Sequence, residues 1–167
     1  MCDMQIRLFG LVNDSIVDGP GFRLSVFTQG CPHGCPGCHN PGSHAMDGGK
    51  LRDTSEIVAM MDDNPLLDGI TLTGGEPFMQ CDACLELARA AHGRGLNVWC
   101  YTGYTYEALA GREDARALLD EVDVLVDGPF VLSERSLELR FRGSRNQRVL
   151  DMKATRAQGV PVELAGM

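Results

Sequence analysis

The sequence predicts an α/β fold with a mostly parallel sheet. Short apolar segments alternate along the chain with longer stretches whose apolar residues recur at helical spacing, which is typical of strands connected by helices. The chain has 167 residues, a length that favours one domain. Since a complete barrel of eight strands and eight helices usually needs about 250 residues, we expect an open or partial barrel.

The first predicted elements lie on either side of a loop rich in turn-forming residues. Polarity alternates over 22–28, which predicts a strand. Glycine and proline are so frequent over 30–49 that we expect no regular structure there. Asp53 or Thr54 can then cap a helix that runs to about residue 63, and Glu56 lies where a capping box needs an acid.

The rest of the chain alternates between the two element types. Its strands are short apolar runs, its helices carry apolar residues at helical spacing, and Thr105 is a predicted N-cap. We treat 1–167 as one domain, with 153–167 as a candidate disordered tail because it matches no pattern. The strands lie at 69–73, 97–101, 123–126 and 147–150, and the helices at 79–92 and 105–119.

Charge and composition exclude several classes of function. The chain carries 23 acidic and 15 basic residues, and its net charge of −8 repels phosphate and argues against nucleic-acid binding. No apolar run approaches the roughly 18 residues of a membrane helix. The N-terminus lacks the basic and apolar regions of a signal peptide. We therefore expect a cytoplasmic protein that binds neither nucleic acid nor a membrane.

Three of the seven cysteines form the strongest local motif, Cys31-Pro32-His33-Gly34-Cys35-Pro36-Gly37-Cys38, and we call Cys31, Cys35 and Cys38 the cysteine triad. A reducing compartment disfavours disulfides, and cysteine thiolates are the usual ligands of iron–sulfur clusters. Three thiolates would leave one iron of a four-iron cubane open for a substrate or cofactor. The alternative is a structural zinc site whose fourth ligand is His33, His39 or His44.

The remaining cysteines carry weaker signals. Cys81 and Cys84 are three residues apart in the predicted helix over 79–92, so they share its core-facing stripe. This position favours buried small hydrophobic residues over a redox pair. Cys2 and Cys100 stand alone, and we assign them no ligand role.

A second motif, Thr73-Gly74-Gly75-Glu76-Pro77, follows a predicted strand. In an α/β fold, the carboxyl ends of the strands are where ligands bind. The glycines would let a ligand approach the backbone, whose carbonyl groups accept hydrogen bonds from an ammonium group. Glu76 would add a negative charge for that ammonium.

The two motifs together resemble the signature of the radical S-adenosylmethionine (SAM) enzymes. Other segments are similar to activating proteins of glycyl-radical enzymes, and in particular to those of anaerobic (class III) ribonucleoside-triphosphate reductase. With the motifs, the resemblance covers about residues 5–150. The segments that carry it are Ile16–Gly21, Trp99–Tyr104, Val124–Gly128 and Phe141–Gln147.

The resemblance implies a fold, a cofactor set and a site. The fold would be a single-domain partial (βα) barrel of the radical SAM type. The cysteine triad would hold a [4Fe–4S] cluster whose open iron chelates SAM, and one electron would cleave SAM to methionine and a 5′-deoxyadenosyl radical. No acid or base beyond the cluster and SAM is needed. Gly37, Cys38 and His39 would lie against SAM, and Gly74, Gly75 and Glu76 would hold its amino group.

The resemblance also implies partners. The substrate would be a glycine Cα–H in the catalytic subunit of anaerobic ribonucleoside-triphosphate reductase, and a one-electron donor such as a flavodoxin would supply the electron. One alternative is an activase of another glycyl-radical enzyme, of the pyruvate formate-lyase type. The other is a non-catalytic iron–sulfur or zinc-binding module.

Basic residues are concentrated near the end of the chain. Residues 1–131 have a net charge of −11, whereas 132–156 hold 7 basic and 3 acidic residues, a net charge of +4. One hypothesis is that the stretch from Arg135 to Arg148 docks the partner enzyme. The alternatives are a solvated face, or that Arg142 and Arg145 fold back and close the open side of the barrel.

Overall fold

The computed structural model describes residues 4–167, whose seven strands form one sheet in the order β3-β1-β2-β4-β5-β6-β7. Cys2 lies outside the described residues. The strands are β1 Gln5–Ser15, β2 Arg23–Thr28, β3 Lys50–Asp53, β4 Gly69–Gly74, β5 Asn97–Tyr101, β6 Val124–Asp127 and β7 Arg148–Asp151. The helices are α1 Thr54–Asp63, α2 Cys81–His92, α3 Tyr106–Ala110, α4 Arg116–Glu121 and α5 Met152–Gln158.

The α/β class is confirmed, and the sheet is mixed. Strands β2, β4, β5 and β6 run parallel to one another, as expected of strands joined by helices. Both flanks are antiparallel, because β1 pairs with β2 and β3, and β7 pairs with β6. The prediction of a mostly parallel sheet therefore holds only for its four central strands.

Two strands have no signal in the sequence. The pairing of β1 with β2 shifts register twice, between Leu8 and Gly10 and between Val12 and Ser15, so the polarity of β1 does not alternate regularly. All four residues of β3 are exposed, so no apolar face marks that strand. The helix predicted over 105–119 is also divided into α3 and α4, with a 3₁₀ turn between them at Glu113–Ala115.

The end of the chain differs from the expected disordered tail, since helix α5 occupies 152–158. The Asp151 side chain accepts a hydrogen bond from the Ala154 amide, and the helix ends at Gly159, whose φ is 72°. Beyond α5, the Leu164 amide donates to the Val149 carbonyl at 2.7 Å. A capped helix and a backbone bond to β7 therefore hold this segment against the sheet.

The sheet buries one cluster of apolar side chains on each face. Val98 and Cys100 of β5 belong to the larger cluster, which includes residues of α1, α2 and α4, whereas Trp99 between them faces the smaller one. Leu164 and Met167 pack against the smaller cluster. None of the helices described for residues 4–167 is long and apolar enough to cross a membrane.

A buried guanidinium lies between three central strands. Arg23 of β2 is fully buried, and its nitrogens donate to the Thr71 hydroxyl at 2.7 Å, the Ile70 carbonyl at 2.8 Å and the Asn97 side chain at 2.7 Å. It also lies over the Trp99 ring, 5.7 Å from the centroid. Burial lowers the pKa of Arg23 to about 10, so it remains charged at neutral pH.

The structure agrees with the prediction that Cys81 and Cys84 are packing residues on the core-facing side of their helix. Cys84 is fully buried in the larger cluster, and Cys81 is half-buried with its thiol donating to the Phe78 carbonyl at 3.1 Å. Burial raises the pKa of Cys81 to about 11, which disfavours the reactive thiolate. All six cysteines in the described part of the chain are free thiols.

Candidate functional site

The two sequence motifs meet at the carboxyl ends of the parallel strands. The loop that carries the cysteine triad leaves β2, and the Gly-Gly-Glu turn leaves the neighbouring strand β4. The Glu76 amide donates to the Gly30 carbonyl at 2.8 Å, and the Gly75 amide donates to the Thr28 carbonyl at 2.7 Å. Backbone hydrogen bonds therefore fix the start of the cysteine loop to the turn.

The three thiols of the triad line one cavity of about 120 Å³. All three cysteines are half-buried, so their side chains are accessible without lying on the open surface. Burial raises the pKa of the Cys31 thiol above its ordinary value. The Cys38 amide donates to the Cys35 carbonyl at 3.2 Å, and this turn brings the second and third cysteines together.

This donor set fits an iron–sulfur cluster better than a single ion. Within residues 4–167, no three His, Cys, Asp or Glu side chains converge as the ligands of one metal ion do. A cubane makes a different demand, because each thiolate binds its own iron at a separate corner. Three accessible thiols around one cavity match that demand, and cysteine is the ligand such clusters use.

Gly74 and Gly75 allow two pieces of backbone to approach closely. A Cβ on Gly74, whose φ is +96°, would lie 2.4 Å from the Thr28 amide nitrogen. A Cβ on Gly75 would lie 2.5 Å from the Gly30 carbonyl oxygen. Both residues also line the cavity of the triad. The glycines thus let the exits of β2 and β4 pack together, a role that the sequence analysis did not foresee.

The Glu76 carboxylate is fully buried and bonded on both oxygens. Oε1 accepts hydrogen bonds from the His33 ring at 2.5 Å and from the Gly103 amide at 2.8 Å. Oε2 accepts from the Thr102 hydroxyl at 2.7 Å and from the Phe78 amide at 3.2 Å. The carboxylate therefore holds the cysteine loop and the exit of β5 in place, in addition to any part in binding a ligand.

A larger cleft of about 430 Å³ adjoins the cavity of the triad. Cys38, Thr73, Tyr101, Phe130 and Gln147 line both spaces, so the two are continuous. The Asp18 carboxylate on the cleft wall accepts from the Ser15 and Ser25 hydroxyls at 2.6 and 2.8 Å. The two spaces together can take a ligand that reaches from the thiols toward the open side of the sheet.

The segment between β6 and β7 forms the outer wall of the cleft. Arg142 lines it, and the Nε atom of this side chain is buried without a hydrogen-bond partner in the described structure. Arg148 instead pairs with Asp127, which is 1% exposed, and with Glu107. Arg135, Arg140 and Arg145 are exposed. The basic stretch therefore divides into a residue that holds the fold, one that faces the cleft and three at the surface.

The residues predicted to contact SAM lie in different parts of the site. Cys38, Gly74 and Gly75 line the cavity of the triad, and His39 lines the adjoining cleft, with its ring 5.4 Å from that of Phe130. Gly37 lies against the segment after β6, since a Cβ there would be 2.8 Å from Leu132 Cδ1.

The structure also adds residues to the site. Tyr101, Thr102, Gly103, Phe130 and Gln147 line the cavity of the triad. One signal for this is present in the sequence, because Tyr101 ends the strand predicted over 97–101 and Thr102 follows it, at the edge where ligands bind in α/β folds.

Comparison with known proteins gives consistent results. A family model described as a 4Fe-4S single cluster domain matches residues 17–150. Relatives named anaerobic ribonucleoside-triphosphate reductase-activating protein include those of Salmonella typhimurium (34% identical, covering 79% of this chain and 90% of the relative), Vibrio cholerae (37%, 79% and 89%) and Enterobacteria phage T4 (33%, 80% and 86%).

Among solved structures, QueE from Escherichia coli aligns over 60% of this chain and 53% of its own, with a TM-score of 0.49 and 17% identity. That likeness is too distant to bear on function. The relatives are more than 30% identical and this chain covers most of their length. This chain therefore belongs to the family of anaerobic ribonucleoside-triphosphate reductase-activating proteins, and it contains a 4Fe-4S single cluster domain over residues 17–150.

Proposed function

We propose that this chain is a radical SAM enzyme that generates the glycyl radical of anaerobic ribonucleoside-triphosphate reductase. The observation that carries the proposal is the single cavity lined by all three thiols of the triad and by Gly74 and Gly75. Family membership supports the reductase as the partner, because the relatives are named as its activating proteins. Under the same proposal, the mixed sheet is a partial barrel and 1–167 acts as one domain.

The residues of the site have separate tasks in this proposal. When bound to the triad, a [4Fe–4S] cluster would supply the electron and the open iron needed to cleave SAM to methionine and a 5′-deoxyadenosyl radical. The backbone of Gly74 and Gly75 lines the cavity where it can accept from an ammonium group. Cys38 and His39 lie on the wall of the larger cleft, where the rest of SAM would extend.

Several predicted contacts remain part of the proposal. Gly37 would approach SAM through its backbone, and Glu76 would attract the amino group by its charge, acting from behind the cavity wall. Apolar rings of Phe130 and Phe141 line the cleft and would help to exclude water from the reaction.

Docking and electron supply complete the proposal. The exposed Arg135, Arg140 and Arg145 belong to the segment that supplies Leu139, Phe141 and Arg142 to the cleft wall, and they would meet carboxylates of the reductase. A flavodoxin would supply the electron, and the acidic chain would bind no nucleic acid. A cytoplasmic location belongs to the same proposal, since a reducing compartment keeps cysteines as free thiols.

The central experiment combines reduced protein, SAM and the reductase subunit without oxygen. We expect a glycyl-radical signal by electron paramagnetic resonance that requires SAM and all three thiols of the triad. Iron and sulfide of about four each per chain are expected in the same sample. One zinc per chain without sulfide, or a cluster without SAM cleavage, would instead support the non-catalytic module. A radical formed on pyruvate formate-lyase but not on the reductase would support the other activase.

A second experiment tests docking. Replacing Arg135 and Arg145 by alanine should slow radical formation at low salt and leave SAM cleavage without the reductase unchanged. The rate of the wild-type protein should fall toward that of the variant as salt rises, because screening weakens the same attraction. Equal rates at low salt would exclude these arginines from docking.

A further inference from the structure

His33 connects the cysteine loop to the sheet edge. Its Nε2–H donates to Glu76 Oε1 at 2.5 Å, since a carboxylate can only accept. The ring lies edge-on against Tyr104, with centroids 4.5 Å apart, and touches Gly103, where an added Cβ would come within 2.4 Å of His33 Cδ2. The side chain is 14% exposed, so this loop residue is almost as buried as a core residue.

The acceptor of this hydrogen bond is itself fixed. Glu76 is fully buried, and its other three donors are the Phe78 and Gly103 amides and the Thr102 hydroxyl. These donors lie on the turn after β4 and at the exit of β5. Because the carboxylate is held on both oxygens, it gives the loop a rigid point of attachment.

The loop has few other attachments between its first two cysteines. The Cys31 amide donates to the His44 carbonyl at 3.1 Å, and the next backbone bond joins Cys38 to Cys35. Over 32–34, the His33 ring makes the one side-chain hydrogen bond found in the described structure. The Pro32 ring has no polar atom and Gly34 has no side chain, so neither residue can supply a second side-chain hydrogen bond.

We propose that His33 is a positioning residue for the cluster, because its hydrogen bond to Glu76 holds Cys31 and Cys35 where two corners of the cubane bind them. The inference rests on the proposed role of the triad. It assigns His33 no contact with the cluster or with SAM. Its effect is to fix the loop before a cluster is present, so its first test uses cluster-free protein.

The first test measures thiol reactivity without a cluster. Reduced wild-type and His33→Ala proteins are alkylated with a maleimide, and the modified cysteines are quantified by peptide mass spectrometry. We expect Cys31 and Cys35 to react several-fold faster in the variant, because the loop loses its attachment. Cys84 and Cys100 are fully buried and serve as internal references for unfolding.

The second test measures cluster retention. Both proteins are reconstituted with iron and sulfide and exposed to an iron chelator without oxygen. We expect His33→Ala to release iron about ten-fold faster, a change equivalent to about 1.4 kcal/mol. His33→Gln keeps an N–H donor and should restore both thiol protection and iron retention.

A histidine at the other end of the sheet provides the matched control. His92 pairs with Glu121 and Asp123, so His92→Ala also removes histidine–carboxylate hydrogen bonds, here at more exposed positions, without touching the cysteine loop. Wild-type labelling and iron release in His33→Ala, or equal effects in His92→Ala, would overturn the positioning role. A loaded, stable cluster that yields no glycyl radical would instead refute the proposed function and leave this inference intact.

Discussion

Replacing Arg148 by alanine tests whether part of the basic stretch holds the fold. Asp127 is 1% exposed, and its carboxylate accepts from Nε and Nη2 of Arg148 and from the Tyr106 amide. In the variant, only the Tyr106 amide would remain of these donors. The chain would then bury a carboxylate without its cation, which costs more than an ordinary lost contact.

The structure sets the size of this effect. Removing one partner of a buried ion pair costs roughly 3–5 kcal/mol. The Arg148 side chain is 30% exposed, so water can enter part of the vacated space and we expect the lower end, about 3 kcal/mol. The pair with Glu107, whose side chain is 59% exposed, adds no more than about 1 kcal/mol.

Urea unfolding of the cluster-free protein provides the assay. Arg148→Ala should lower the free energy of unfolding by about 3 kcal/mol, whereas the exposed Arg145→Ala should change it by less than about 0.5 kcal/mol. Adding Asp127→Asn to Arg148→Ala should recover part of the loss, because no uncompensated charge is then buried. A loss below about 1 kcal/mol in Arg148→Ala would refute this reasoning.

Three further predictions concern the site and the opposite end of the sheet. Changing any one cysteine of the triad to serine should abolish SAM cleavage, whereas Cys81→Ala with Cys84→Ala should leave it largely intact. Glu76→Gln should weaken SAM binding more than it lowers iron content, because it removes a charge behind the cavity wall and keeps an oxygen acceptor for His33. Burial lowers the pKa of His92, but hydrogen bonds to carboxylates outweigh it and raise that pKa. The stability that His92 contributes is thus present below about pH 6.5 and lost as pH rises through the raised pKa.

Each of these predictions has a direct check. Full SAM cleavage in a single triad variant would remove that cysteine from the cluster site, and iron loss in the Cys81 and Cys84 variant would make that pair part of it. SAM affinity is measured by equilibrium binding to the reconstituted protein, where an unchanged value for Glu76→Gln would exclude its charge from binding. For His92, the urea midpoint is followed from acid to alkaline pH. His92→Asn should abolish the fall of the urea midpoint with rising pH. If the midpoint of the variant falls as in the wild-type protein, another group is responsible.

The predicted elements with a strong local pattern match the structure closely. The helix predicted to run from a cap at Asp53 or Thr54 to about residue 63 is α1, whose buried residues recur at helical spacing. The strand predicted over 97–101 is β5, whose three middle residues form a buried apolar run. Strand β3 was missed because its four residues are exposed, and it is held by its backbone pairing with β1. A strand without a buried face does not need alternating polar and apolar residues, so the sequence pattern does not indicate it.

The sequence predicts the parts of the site that lie in short motifs directly after predicted strands, and it does not predict contacts between residues far apart in the chain. The triad and Gly74 follow strands that were recognised, so their meeting at one sheet edge could be expected. The environment of Glu76 could not, because its burial depends on Thr102 and Gly103 at the exit of β5. From the sequence, His33 is a loop residue or one of three alternative zinc ligands, since nothing nearby in the chain indicates its bond to Glu76.

The guanidinium of Arg23 has a consequence for how the sheet opens. Three of its hydrogen bonds are accepted by residues of β4 and β5, 47 to 74 positions further along the chain, whereas the bond from Nη1 to the Pro20 carbonyl at 3.0 Å is local. Separating β4 or β5 from β2 would leave some donors of a buried charged group without acceptors, at a cost of roughly 1–3 kcal/mol or more for each unsatisfied donor. The centre of the sheet should therefore open only as a unit. Amides of β2, β4 and β5 should exchange with solvent deuterium at one common rate, set by global unfolding.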